Sequence, residues 1–288
     1  MPSSANPFAI PFPERYRLVV VDVDGTLLDT QHQLPDRVAA AVRKTQQHGI
    51  SVALATGKMF VAVRPLIEAM ALRGPQITLN GAALVQAQTD EPLAYSPLRP
   101  EDRRLAIETV RRMAPEVLIT HFMLDHILID EPDHPLLPVL LAYGEKQITA
   151  VPSLLADDML PAAKILLVAP RSRIPGLRRA VTPLLASRVA ITTTAPDFLE
   201  FFDPAAGKGH GLAALLDALS LPRESVIAIG DGENDIPLFE HAGLAVAMGN
   251  ASAPVQAAAD LVIGSNDEAG VADFLDALLQ ARMACEQG

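Results

Sequence analysis

Short runs in which every residue is apolar constrain this chain more than any other feature. The cores of Arg17–Val23, Ile50–Ala55 and Ser225–Ile229 are of strand length and rich in Val, Ile and Leu. A strand with one face in water alternates apolar and polar side chains. One that is apolar throughout is buried on both faces, as in a parallel sheet covered by helices on each side. Between these runs the spacing becomes helical. Pro35–His48 carries Val38, Ala41 and Val42 and stops at Gly49, and Met59–Met70 follows the second run. Gln76–Leu79 reads as a third short strand. Strand and helix in alternation predict an α/β fold, a doubly wound parallel sheet of the Rossmann-like kind.

The pattern breaks after Leu84. Scattered prolines then separate helices at Pro100–Met113, Pro135–Tyr143 and Arg173–Leu185 from strands at Leu118–Thr120, His126–Ile129, Lys164–Val168, Val189–Thr193 and Phe198–Phe202. The alternation returns with helix Gly209–Leu219, strand Ser225–Ile229, helix Ile236–Ala242, strand Leu244–Ala247, helix Ala253–Ala258, strand Leu261–Ile263 and helix Gly270–Met283. We therefore expect a flexible tail over residues 1–16, a core domain from 17–84 and 195–288, and an α+β cap inserted at 85–194.

Composition narrows the function classes. A net charge of −11 over 288 residues argues against nucleic acid or an anionic membrane as the main partner. It leaves phosphate ligands open, because a bound divalent cation reverses the local field. The one cysteine, Cys285, can build neither a disulfide nor a thiolate metal site within the chain, which fits a reducing cytoplasm. No apolar run approaches the roughly 18 residues that suggest a membrane span.

Two acidic clusters follow apolar strands: Asp22-Val23-Asp24-Gly25-Thr26 and Gly230-Asp231-Gly232-Glu233-Asn234-Asp235. Parallel sheets bind ligands beyond the carboxyl ends of their strands. Residues two apart in extended chain face the same way, so Asp22 and Asp24 are expected to converge, with Asp231 completing an oxygen-rich site suited to Mg²⁺. The bland reading is that each acid only caps a turn. That leaves like charges crowded together without a cation.

At these residues the chain resembles the haloacid dehalogenase-like hydrolase superfamily. Asp22-Val23-Asp24-Gly25-Thr26-Leu27 is similar to its first motif, Ala53-Leu54-Ala55-Thr56-Gly57 to its second, Lys208 before a helix to its third, and Gly230–Asp235 to its fourth. Leu79-Asn80-Gly81-Ala82 and Val246–Ala251 further resemble the Cof-type branch, which carries a large α/β cap between the second and third motifs. The resemblance implies that Asp22 is a nucleophile forming an aspartyl-phosphate, and that Asp24 is the general acid and then the base. It implies that Asp22, Asp231 and the Asp24 backbone carbonyl hold Mg²⁺. Thr56 and Lys208 would bind the transferring phosphoryl group, and Asn234 and Asp235 would support the metal and the lysine. Gly57, Lys58, Asn80 and Gly81 would lie on the substrate side.

The implied activity is hydrolysis of a small phosphorylated metabolite, a sugar phosphate or a phosphorylated cofactor, by a monomer or homodimer. A phosphosugar mutase, a sucrose- or trehalose-phosphate phosphatase, and a non-catalytic phospholigand-binding regulator are the alternatives. Lys58 departs from the arginine common in the branch, and reads equally as a phosphate contact or a surface lysine. Asn80-Gly81 is also a turn dipeptide. In the cap, His121, Asp125, His126, Asp130, Asp133 and His134 match no standard zinc spacing. Glu200 and Asp203 either face the cleft or cap the return to the core.

Overall fold

In the computed structural model, which describes residues 8–156 and 161–286, the apolar runs become the middle of a parallel sheet. The chain opens with β1 (Leu18–Val21), α1 (Asp36–Gln47), β2 (Ser51–Leu54), α2 (Phe60–Ala69) and β3 (Pro75–Thr78), then β4 (Ala83–Gln86) and β5 (Pro92–Tyr95). Next come α3 (Pro100–Met113), β6 (Leu118–Phe122), β7 (Ile127–Ile129), α4 (Leu137–Ala142), β8 (Ile148–Ala150), β9 (Lys164–Val168), α5 (Ile174–Leu185), β10 (Ala190–Ala195) and β11 (Phe198–Phe202). It closes with α6 (Lys208–Leu219), β12 (Val226–Gly230), α7 (Ile236–Glu240), β13 (Leu244–Ala247), α8 (Ala253–Ala257), β14 (Leu261–Val262) and α9 (Gly270–Glu286).

The parallel sheet has the order β14-β13-β12-β1-β2, and Val20 of β1 lies beside Ala53 on one side and Ala228 on the other. Successive β1 residues point to opposite faces. Val19 and Val21 pack with Val38 and Val42 of α1 and Phe274 of α9. Leu18 and Val20 pack with Leu212 and Leu215 of α6 and Leu238 of α7. Burying one such side chain contributes about 1.5–3 kcal/mol, which is why a run apolar at every position settles here. The strand order reverses between β1 and β12, and that reversal opens a crevice at their carboxyl ends.

A second sheet, ordered β10-β11-β9-β6-β7-β8, roofs this crevice. Its outer face packs on α3 and α5 through Ile165, Leu167, Leu199 and Phe201. Alternation therefore turns Lys164, Leu166, Phe198 and Glu200 toward the core domain.

The sequence boundaries shift in three places. Residues 1–7 of the expected tail lie outside the described residues, but Ile10, Pro13 and Tyr16 are buried and Phe8 meets the Phe274 ring edge-on. An apolar segment beside an uncovered stretch of α9 has reason to pack rather than fray. β4, which straddles the expected boundary at 84/85, and β5, inside the expected cap, instead extend β3 as an antiparallel sheet. β11, placed in the core by sequence, lies inside the cap sheet between β10 and β9, where its apolar residues cover both neighbours. Among the described residues no helix is long and apolar enough to cross a membrane.

Candidate active site

β1 ends at Val21, and Asp22 follows with its amide still bonded to Ile229 of β12. The chain then turns sharply through Val23–Leu27, with Gly25 at φ +78°. Glycine suits this turn for a second reason: a Cβ there would stand 2.3 Å from Asp231 Oδ2. The turn lets the Thr26 hydroxyl donate to Asp231 Oδ1 at 2.9 Å.

It also separates Asp22 from Asp24. The Asp22 side chain is buried, whereas that of Asp24 is 41% exposed and faces Lys58 Nζ at 3.3 Å and His32 Nδ1 at 3.6 Å. The expected convergence of the two side chains is thus not what the geometry shows. Both line one cleft, but the tight carboxylate group is Asp22, Asp231 and Asp235, with oxygens within 4.8 Å of one another. Any part Asp24 plays toward a metal rests on its backbone carbonyl.

Lys208, the first residue of α6, is buried between two of these acids. Its ammonium donates to Asp22 Oδ1 at 2.5 Å and to Asp235 Oδ1 at 2.6 Å. The other Asp235 oxygen accepts from the backbone amides of Asp231 and Gly232, so Asp235 holds both the lysine and the loop after β12. Burial would lower Lys208, but the Asp22 and Asp235 carboxylates outweigh it and hold the ammonium above its ordinary range. Burial raises Asp22 well above the usual carboxylate range; the charges of Asp235 and Asp231 add to this and Lys208 opposes it. Burial and then Asp235 push Asp231 up to about 6.

Three carboxylates against one ammonium leave two formal negative charges uncompensated. A hard divalent cation with oxygen ligands fits that imbalance and donor set. The site therefore fits a divalent metal ion.

Thr56 is buried just beyond β2; its oxygen accepts from the Lys58 amide and its carbonyl from the Asn80 amide. The Gly57 carbonyl accepts from Lys164 of the cap at 2.8 Å. Asn80, in the left-handed region at φ 56°, donates to Glu200 at 2.5 Å and accepts from Asn234 at 3.0 Å. Asn234 thus binds Asn80 rather than Lys208. Gly81 does not face substrate space, because a Cβ there would stand 2.1 Å from the Gly207 carbonyl ahead of α6. It allows the β3 loop to seat against the start of the helix.

Residues that sequence reasoning passed over complete the cleft, whose volume is about 380 Å³, together with Glu200, which takes the cleft-facing one of its two readings. Lys164 and Glu200 form an ion pair at 2.8 Å, each 2% exposed, and Glu200 also accepts from Thr194. Tyr143, Glu145 and Arg171 line the cap side, and His32 the core side. One signal was available: a charged residue inside an otherwise apolar strand, Lys164 in β9 and Glu200 in β11, needs a buried partner. The cap histidines and acids form no metal-sized cluster among the described residues. His121 is buried without a partner, and Asp130 is taken by Arg111 and the Leu154 amide.

Comparison with known proteins agrees with this geometry. Residues 19–275 match the family described as haloacid dehalogenase-like hydrolase. The chain is 30% identical to an HMP-PP phosphatase of Cronobacter sakazakii, covering 90% of this chain and 94% of that one. It is 28% identical to the chloroplastic Endoribonuclease YBEY of Arabidopsis thaliana over 91% of this chain, but spans only 46% of that protein's length. The crystal structure of a haloacid dehalogenase-like hydrolase from Bacteroides thetaiotaomicron superposes with a TM-score of 0.79 at 29% identity, covering 91% of this chain and 98% of that one. A parallel sheet with carboxylates at its switch point, a roofing cap and a match across nearly the whole chain lead to one assignment: this protein belongs to the haloacid dehalogenase-like hydrolases, in their Cof-type phosphatase branch.

Proposed function

We propose that the chain is a Mg²⁺-dependent phosphatase that hydrolyses a small phosphorylated metabolite, a sugar phosphate or phosphorylated cofactor, through a phosphoryl group carried on Asp22. The observation that carries this reading is the buried Asp22–Lys208–Asp235 chain beside Asp231, at the strand-order reversal and open to the cleft. A structural ion pair needs neither the third carboxylate nor the cleft.

In the first step an Asp22 carboxylate oxygen attacks phosphorus. The ester P–O bond breaks, and Asp24 gives a proton to the leaving oxygen. Asp24 then takes a proton from water, the water oxygen attacks phosphorus, and the Asp22–phosphorus bond breaks to release phosphate. Asp24 is suited to both roles because it is half-exposed at the cleft, where protons and alcohol can reach it. The Lys208 ammonium and the Thr56 hydroxyl would meet the equatorial oxygens, where negative charge gathers. Lys58 and the Gly57 amide would lie on the phosphate side, with Asn80 and Asn234 fixing the loops around it. Asp22, Asp231 and the Asp24 carbonyl would hold Mg²⁺, which when bound would supply the positive charge that Lys208 alone leaves missing.

The same reading places a monomer or homodimer in the cytoplasm, acting on small molecules rather than nucleic acid or membrane. It is supported by the net charge of −11 and the single cysteine. The test is release of phosphate from p-nitrophenyl phosphate. It should require Mg²⁺ and vanish in Asp22→Asn; full activity in that variant would overturn the assignment.

A further inference from the structure

The polar groups on the cap side of the cleft are almost all committed to one another. Tyr143 and Arg171 both donate to Asp197, Lys164 donates to Glu200 and to the Gly57 carbonyl, and Thr194 donates to Glu200. Glu145 is different. It is 8% exposed, lines the cleft, and has a buried carboxylate oxygen that meets no donor. Its loop joins α4 to β8 through two left-handed positions, Gly144 and Gln147, so the backbone is shaped to hold that side chain inward.

The charges it senses across the space are Lys164 and Glu200 of the cap and Lys58 and Asp24 of the core. Glu145 and Asp24 line the same cleft, so a leaving group seated against Asp24 lies in the space that Glu145 borders. A buried acceptor without a partner is costly in a folded protein, and one on a side chain that lines a ligand cleft gains that partner when the side chain turns to a donor brought by the ligand.

We propose that Glu145 is the specificity-determining residue for the leaving group, accepting a hydrogen bond from a hydroxyl or ammonium on it. The substrates are then phosphate esters of polyols, sugars or amino alcohols, and not esters whose leaving group carries a carboxylate. This rests on the phosphatase reading above and names the substrate class of the same site. A carboxylate-bearing ester would face Glu145 with like charge, and the site would reject it.

The test compares wild type, Glu145→Ala and Glu145→Gln on glycerol phosphate, ribose phosphate, phosphoethanolamine, phosphoglycolate and p-nitrophenyl phosphate. Wild type should prefer a donor-bearing ester over phosphoglycolate by about tenfold or more in kcat/KM. In Glu145→Ala the best donor-bearing ester should lose about ten- to a hundredfold relative to the same variant's turnover of p-nitrophenyl phosphate, chiefly through KM. Glu145→Gln separates the two donors. An amide oxygen still accepts from a hydroxyl, so polyol and sugar esters should fall only a few-fold. An ammonium loses its counter-charge, so phosphoethanolamine should fall as far as in the alanine variant.

Wild-type preference for phosphoglycolate, or a uniform loss on every ester in Glu145→Ala, would overturn the proposal. So would no loss on any donor-bearing ester. Absence of turnover of every ester by wild type would instead remove the phosphatase reading, and this proposal with it.

Discussion

Lys208→Met removes the ammonium from between Asp22 and Asp235 while keeping most of the stem, so the loss reports charge rather than a cavity. The lysine side chain is 1% exposed and its partners are 9% and 0% exposed, so water cannot take over its two bonds. Removing one member of a buried ion pair costs about 3–5 kcal/mol, because an uncompensated charge stays behind. Asp22 already lies above the ordinary carboxylate range, so it can take up a proton and hold the cost near the lower figure. For a chain of this size that corresponds to a fall in Tm of roughly 6–12 °C.

The assay is thermal unfolding in the presence of a chelator, alongside p-nitrophenyl phosphate turnover with Mg²⁺. Turnover should fall by at least about a hundredfold, as expected when a preorganised positive charge at the phosphoryl group is lost. Adding Asp235→Asn to Lys208→Met should restore about 1–3 kcal/mol of stability and no activity, since it removes one of the stranded charges. A single variant with parental Tm, or one keeping a tenth of the turnover, would refute the account of Lys208.

Two further perturbations probe other parts of the structure. Gly25→Ala forces a side chain into a left-handed turn and a Cβ within 2.3 Å of Asp231 Oδ2; kcat/KM should fall at least about tenfold, with about 1–3 kcal/mol lost in urea unfolding, and near-parental turnover would show that the turn has room. His121 is lowered to about 3 by burial and then by Arg103, so the unfolded chain binds a proton there first as pH falls below about 6.5. Stability from this group is present at neutral pH and is lost as pH falls through that window; between pH 7 and pH 4, His121→Leu should gain on the order of 3 kcal/mol relative to wild type. Parallel pH–stability curves for the two proteins would contradict it.

The parallel sheet was legible because burial on both faces leaves an unambiguous mark: Leu18–Val21 and Val226–Ile229 are apolar at every position. The acids at strand ends stood out for a related reason, since charged residues bordering such runs need a partner, whereas Lys208 was legible only through its resemblance to the family's third motif. The direction of Asp24 was not legible, because it is set by the turn at Gly25, not by strand periodicity. The membership of β11 in the cap sheet depends on its register with β9 and β10, which local pattern does not encode. The burial of Tyr16 depends on what α9 leaves uncovered, so a short Pro-rich segment read in isolation looked like a tail. Glu145 was least legible: its meaning lies in the partners it lacks, and those become visible only once every neighbour's bonds are assigned.

The central claim is that a phosphoryl group passes through Asp22. The direct measurement is acid-quench mass spectrometry of Asp24→Asn mixed with p-nitrophenyl phosphate and Mg²⁺; p-nitrophenolate leaves without a proton from Asp24, so attack can proceed while the water step is slowed. The account predicts the mass of one phosphoryl group on the peptide containing Asp22, absent when Asp22→Asn is added. Turnover by wild type with no phosphorylated peptide in the Asp24→Asn variant, or a phosphoryl group on another residue, would contradict it.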